Sequence, residues 1–434
     1  MALQVWLPLN GNLNNQGLSN LTFSGSPTFE SGKLGQSARF GSNSNILTSS
    51  AKINLGNCIT ISFWVKIVSW INWGRMFVLN SDNSDAFGSC LNDSSHGTIG
   101  TYLNINGTTI SDSYAGNLSD LNWHHFALVV DENKKKHYLD GKLINSWTMS
   151  SSMPSLSDYT IKIGGWASGG STPPSDMNIN DFRIYDHALS DKEVKDVSKL
   201  LVLHWPLNNN GIVSGDISSF SSTEFDCSGY GHNGKIKVEL PGIETGSPKY
   251  KYNYKYTRLY DNVHYNNTTD LYYTDNFSFC LWIKHNYQDT GAVQFCFVVG
   301  RADYGEYGYG IHILSESSIR IRYGSSIYSI SCNRNEWTHI AFTKSGKNIK
   351  MYRNGSIYYD IQFGGAEPTY GDGAGIAVGS FYYSGGWLYP YYGSLSDLRI
   401  YGSVLSAEDV KEIYQTSAII DNKGSIYCYE FVES

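Results

Sequence analysis

The residues best suited to hold a ligand lie in one aromatic stretch, Phe381-Tyr382-Tyr383-Ser384-Gly385-Gly386-Trp387-Leu388-Tyr389-Pro390-Tyr391-Tyr392. The Gly-Gly pair and the proline mark it as a loop rather than a strand. Rings exposed on a glycine-rich loop stack on sugar faces or anchor a protein interface, so Tyr382, Tyr383, Trp387, Tyr389 and Tyr391 are candidate ligand contacts. Packing against the domain's own surface is the competing use of the same rings. Tyr304 and Tyr307, inside the glycine-rich segment from Gly300 to Gly310, join the candidates, as does Trp166 in the corresponding loop of the first half.

Catalytic chemistry has less to work with. The E-x-D-x-x-E strand motif that would place two carboxylates about a glycosidic bond is absent. So are G-x-S-x-G, H-E-x-x-H and the phosphate-cradling G-x-x-x-x-G-K-[ST]. No enzyme is expected. His125 and His339 occupy matching positions and read as structural rings, each hydrogen-bonded behind the tryptophan before it. Neither has a Cys or second His at metal spacing in both halves. The seven cysteines are an odd number without C-x-x-C pairs, which argues against a disulfide framework. Cys58, Cys280 and Cys296 lie in apolar runs and read as buried free thiols, consistent with folding in a reducing compartment.

The elements that must position these residues come in two copies. Asp181-Phe182-Arg183-Ile184-Tyr185, with Leu189-Ser190 and Val194-Lys195 behind it, recurs as Asp397-Leu398-Arg399-Ile400-Tyr401, Leu405-Ser406 and Val410-Lys411 without a slip in spacing. This is an internal repeat. Each copy alternates as a strand and then changes period. Ser190 with Glu193, and Ser406 with Asp409, have capping-box spacing, which predicts a short helix after each strand. Ile and Tyr are expected to face the core, while Asp and Arg pair or cap.

Earlier blocks match as well. Ile59–Lys66 pairs with Phe277–Lys284, and Trp123–Val130 with Trp337–Thr343, all alternating as half-buried strands. Asp140-Gly141 and Asn354-Gly355 supply the positive φ of two-residue hairpin turns. Lys134-Lys135-Lys136 reads as a solvated hairpin turn. Many short strands with regular turn signals and almost no helix predict an all-β fold of two antiparallel sandwiches. The first helix runs into the next strand with no Gly/Ser or Pro linker, so a fairly fixed relation between the halves is expected.

Only 16% of residues are charged and the net charge is −7, which excludes nucleic acid as the main partner. The start, Met1 to Pro8, has no basic region or long apolar stretch, so neither a signal peptide nor, anywhere along the chain, a membrane-spanning helix is expected. Of 33 tyrosines, 28 follow residue 199, so the second copy is the specialised one.

Taken together, the W-x-P-L-N-type opening, F-x-W-x-K, W-x-H-x-A, Y-x-[DN]-G and D-x-R-I-Y-x-x-x-L-S-x-x-x-V blocks resemble the laminin-G-like, concanavalin A-like family. The second copy adds Asp226-Cys227-Ser228-Gly229-Tyr230-Gly231-His232-Asn233-Gly234, similar to the D-x-S-G-x-G-x-x-G entry of such domains; the first lacks it. The resemblance implies two tandem jelly-roll sandwiches, residues 1–198 and 199–415, each closed by a short helix, with 416–434 left as a tail that has its own hairpin pattern. It also implies glycan or protein binding, sometimes with calcium. Asp181, Asp226 and Asp397 are the oxygen ligands that this would use, against the plainer roles of capping turns or pairing with Arg183 and Arg399.

The tail, Ala418 to Phe431, resembles the ends of bacteriophage structural proteins that carry such domains. That resemblance implies a virion protein made in host cytoplasm. The expected function is therefore non-enzymatic: a tail, fibre or head-decoration protein binding host-surface or mucus glycans. A purely structural spacer, joined to other virion proteins through the tail or a domain surface, is the alternative, and a glycan hydrolase the remote third.

Overall fold

A computed structural model describes residues 3–42, 45–70, 74–80, 86–92, 98–105, 108–165, 176–205, 207, 223–224, 228, 234–236, 242–245, 252–256, 263–266, 271–287, 293–300, 308–370, 375–379, 381–383, 386–388 and 390–416. The chain divides into two compact units between Ser198 and Lys199. Both are all-β sandwiches, and the tail from 417 onward lies outside the described residues.

In the first unit one eight-stranded sheet runs Lys142–Thr148, Lys134–Leu139, His124–Asp131, Cys58–Ser69, Asp176–Tyr185, Gln36–Phe40, Thr28–Ser31, with Leu3–Leu7 also paired to Asp176–Tyr185. The facing sheet runs Thr108–Ala115, Thr98–Ile105, Ala86–Asn92, Arg75–Asn80, Leu156–Ile163, Leu47–Ser49, Phe23–Ser24, with Ile53–Leu55 on Leu156–Ile163. The second unit repeats the plan. Its Phe277–His285 strand lies between Gly393–Tyr401 and Thr338–Ser345, and its other sheet carries Gly375–Val378, Gln294–Gly300, Tyr309–Ser315, Ser318–Tyr323 and Ser326–Ser331 in that order.

Alternation in the strands builds the cores. Ile61, Phe63 and Val65 send every second side chain inward, where Phe63 meets Phe126, Phe182 and Phe77 at centroid distances of 5.7, 5.7 and 5.9 Å. In the second unit Phe279 stacks on Phe342 at 5.1 Å and on Tyr309 at 5.7 Å.

The doubled Asp-x-Arg-Ile-Tyr stretch lies in an interior strand of each first sheet, beside the middle one. Ile184 and Ile400 face the core, but Tyr185 and Tyr401 do not, a correction to the expectation for that pair. Neighbouring residues of a strand point to opposite faces. Tyr185 instead packs beneath α1 (Asp191–Ser198) with Val194 and Val197, and Tyr401 beneath α2 (Ala407–Thr416) with Val410 and Ile413. Both helices start in the expected capping boxes: Ser190 N–H donates to Glu193 Oε2 at 2.7 Å and Ser406 N–H to Asp409 Oδ2 at 3.0 Å.

The two-residue turns also form, with φ of 50° and 75° at Asp140-Gly141 and 49° and 75° at Asn354-Gly355. The lysine run is not a turn. Lys134–Leu139 is a strand, and Lys135 is fully buried with its Nζ donating to Thr101 O at 3.0 Å. The turn falls one step earlier, at Glu132-Asn133, so the strand's alternation carries the middle lysine inward. All five described cysteines are free. Cys280 and Cys296 are buried, but Cys58 is half-exposed, its Sγ 3.6 Å from Asp131 Oδ1.

Candidate ligand-binding faces

Each unit turns an outer sheet face away from its core, and the strand register decides what that face carries. In Ser318–Tyr323, Ile319, Ile321 and Tyr323 are fully buried, which sends Arg320 and Arg322 to the opposite side. In Tyr309–Ser315 the same alternation puts Gly310 and His312 outward. His312 sits opposite Arg320 and Gly310 opposite Arg322, while Phe295 lies across from His312 on the other flank.

His312 is only 3% exposed, with its ring 5.7 Å from that of Phe295. Its Nδ1 and the Nε of Arg320 are buried with no hydrogen-bond partner. Burial, followed by the charges of Arg322 and Arg320, lowers the imidazole to about 4, so it is neutral at pH 7. Arg322 Nε reaches Gly324 O at 3.4 Å. The face thus carries two permanent cations beside a neutral ring.

The first unit fills the same register positions differently. Tyr102 stands where Arg322 does, Gly100 where Arg320 does, and Cys90 where His312 does. The Tyr102 ring lies over Gly88, where an added Cβ would come within 2.8 Å of the hydroxyl, and the Arg75 guanidinium covers the ring at 4.5 Å. Tyr102 Oη, Arg75 Nε and the side-chain oxygens of Asn80 and Asn104 are all buried without partners. Burial pushes the Tyr102 hydroxyl well above its ordinary range and lowers Lys162, on the strand paired with Arg75–Asn80. A buried polar atom left unpaired costs roughly 1–3 kcal/mol, so this face, with four of them, is the first unit's candidate for polar contact.

Trp166, Tyr304, Tyr307, Tyr389 and Asp226 lie outside the described residues. Tyr382, Tyr383 and Trp387 are not in a plain loop: Phe381–Tyr383 pairs antiparallel with Gly386–Leu388, Tyr382 opposite Trp387. The aromatic residues have high strand propensity. Tyr391 is corrected more sharply. It is fully buried, its N–H donates to Gly379 O at 2.8 Å, and its ring presents no face to a ligand.

Asp181 and Asp397 are 1% exposed and take up nitrogen donors: Asp181 Oδ1 accepts from Trp6 Nε1 at 2.7 Å and Arg183 Nε at 3.0 Å, Asp397 Oδ1 from His204 Nε2 at 2.8 Å and Arg399 Nε at 2.9 Å. The pairing alternative is what the geometry shows for both. Among the described residues no three His, Cys, Asp or Glu side chains gather as a metal site would require. His125 packs on Trp64 of the adjacent strand at 5.6 Å, as His339 packs on Trp282 at 5.2 Å. The tryptophan is thus the cross-strand partner, not the preceding residue, and neither ring nitrogen of His125 has a hydrogen bond.

The arginines of the outer face escaped the reading of the sequence, although Ile319-Arg320-Ile321-Arg322-Tyr323 carries the signal. Strict alternation there places both cations on one solvent side.

The family described as the concanavalin A-like lectin/glucanases superfamily matches residues 40–195 and again residues 257–411. The chain belongs to that superfamily. Both of its lectin/glucanase-type sandwiches therefore have the fold that the repeat implied. Among solved structures the chain is similar to the binding domain of Paraclostridial Mosquitocidal Protein 1, at 14% identity over 98% of this chain and 95% of that one, with a TM-score of 0.39. It is also similar to domain 4 of AbnA, a GH43 extracellular arabinanase from Geobacillus stearothermophilus in complex with arabinotriose, at 18% identity, 45% and 98% coverage and a TM-score of 0.37. A third is domains LG4-5 of the mouse laminin alpha1 chain, at 12% identity, 88% and 94% coverage and a TM-score of 0.27. No curated protein matches the sequence. Among the described residues no helix is long and apolar enough to cross a membrane.

Proposed function

We propose that this chain is a non-enzymatic glycan-binding protein that works on the surface of a bacteriophage particle, attaching it to host-surface or mucus glycans. The observation that carries the binding half is the outer face of the second sheet in each unit, where buried polar atoms stand without partners on a lectin-superfamily sandwich. Saccharides recognise such surfaces through many directional hydroxyl contacts, and unpaired donors and acceptors fixed on a rigid sheet are organised for them before binding. The sequence from Phe381 to Leu388 adds aromatic residue types suited to sugar stacking. The particle half rests on the resemblance of residues 418–431 to the ends of bacteriophage structural proteins.

A glycan array probed with the purified full chain tests the binding half. Selective binding is expected, reduced severalfold by Trp387→Ala or by Tyr102→Phe at unchanged thermal stability. A blank array, or binding indifferent to both changes, overturns it. Mass spectrometry of purified particles tests the setting: the chain is expected at a fixed copy number, and its absence would discard the virion role while leaving glycan binding intact.

A further inference from the structure

We infer that the outer sheet face of the second unit is a site for the acidic group, carboxylate or sulfate, of a negatively charged saccharide, with Arg320 as its principal ligand. The inference rests on the glycan-binding reading and adds the charge class and the residues.

Arg320 is half-buried, has no carboxylate partner among the described residues, and holds its Nε in a position where it donates to nothing. Arginine is the side chain with the geometry for this task. Its planar fork offers two parallel N–H donors that match the two oxygens of a carboxylate or sulfate, and it stays charged at any working pH. A cation partly withdrawn from water attracts an anion more strongly than one fully solvated. Arg322, two residues along on the same face, adds a second positive charge.

His312 separates this site from a general basic patch. It lies directly across from Arg320, and the charged groups that act on it are the two arginines. Kept neutral by them and by burial, its ring has one N–H to donate and no charge to repel Arg320. The unpartnered Nδ1 is the polar atom that completes the site beside the guanidinium. Phe295 closes the flank with an apolar ring, and Gly310 leaves the floor before Arg322 without a side chain. An added Cβ there would meet Phe297 O at 2.4 Å, so the floor is also closed to larger residues.

The first unit supplies an internal comparison. At the registers of Arg320 and Arg322 it has Gly100 and Tyr102, and its own Arg75 is engaged over the Tyr102 ring. Two copies of one fold thus place their cations at different registers of the same face.

Isothermal titration of the full chain with a chondroitin sulfate hexasaccharide, cellohexaose and sodium sulfate tests this. The acidic hexasaccharide is expected to bind, with affinity that falls as salt rises. Arg320→Ala is expected to lower it about tenfold or more, and Lys350→Ala, on the other sheet of the same unit and paired with Asp360, to leave it unchanged. Should Arg320→Ala fold poorly, Arg320→Gln keeps the stem and removes the charge, and is expected to give the same loss. Equal binding of cellohexaose and the acidic sugar would overturn the charge assignment but leave glycan binding standing. Acidic-sugar binding that survives both Arg320 variants at unchanged unfolding temperature would place the anion elsewhere and overturn the site. Sulfate binding as tight as the hexasaccharide would overturn the saccharide as occupant, and no saccharide binding in any arm, together with a blank glycan array, would remove the underlying reading as well.

Discussion

The indole N–H of Trp6 donates to the Oδ1 of Asp181 at 2.7 Å, in a pair that is 7% and 1% exposed. The second unit keeps the bond and changes the donor: His204 stands at the position of Trp6 and donates through Nε2 to Asp397 at 2.8 Å. Both aspartates have a φ of 55° at a break in strand register, a left-handed conformation that Asp tolerates better than most residues. The bulge turns the carboxylate back along its own strand to meet the arginine two residues on. Arg183 then lies 4.6 Å over the Trp6 ring, completing a buried triad.

Asp181→Ala removes the acceptor for both partners and leaves a guanidinium buried beside them. The expected cost is about 3 kcal/mol, read as a lower midpoint in urea unfolding. Trp6→Phe, which deletes only the N–H donor and part of the ring, should cost about 1 kcal/mol. Because both act on one acceptor, the double variant should cost less than the sum, and simple additivity would show that the triad is not coupled.

Acid sensitivity is expected from His125. Burial lowers its imidazole to about 4, while an unfolded histidine titrates near about 6.5. Between those values only the unfolded chain takes the proton, so stability is complete above about pH 6.5 and falls as pH drops toward 4. The slope from one such group is about 1.4 kcal/mol per pH unit. His125→Phe should flatten the acid limb by up to one proton, with His137, lowered to about 3, and His312 retaining the remainder.

His124, its neighbour in sequence, has the opposite sign. Its ring lies 2.8 Å from Asp140 and 2.9 Å from Asp120, and the hydrogen bond it donates to Asp140, then that to Asp120, raises it to about 9. Its contribution is whole below about pH 6.5 and is lost as pH rises through 9. Both carboxylates are nearly half-exposed, so the solvent-screened effect is about 1 kcal/mol. His124→Gln should remove this alkaline loss, and an unchanged pH profile from 7 to 10 would refute the assignment.

The turns and caps should be costly to alter. Gly141→Ala forces a side chain into a φ of 75° and brings its Cβ to 2.3 Å from Ser198 Oγ, for an expected loss of about 1–3 kcal/mol by thermal unfolding. Ser190→Ala and Ser406→Ala each remove one side of a capping box and should cost about 1 kcal/mol.

The repeat, the capping boxes, the two-residue turns and the all-β class were legible in the sequence because each depends on neighbours a few residues apart. Alternation of Ile, Phe and Val sets which side of a strand is apolar, and Ser with an acid three residues later caps a helix whatever lies around it. Which of two adjacent residues faces the core in Ile184-Tyr185 needed the register of the strand and the place of α1. The burial of Lys135 depended on a turn placed at Glu132-Asn133 instead of the lysines. Tyr391, one ring among many in the chain's most aromatic stretch, became a core residue through a backbone bond to Gly379. His312 and Arg320 are eight positions apart in sequence and directly opposite in space. A binding face on a sheet is assembled across strands, so its chemistry follows from register, and register is settled only when the sandwich closes.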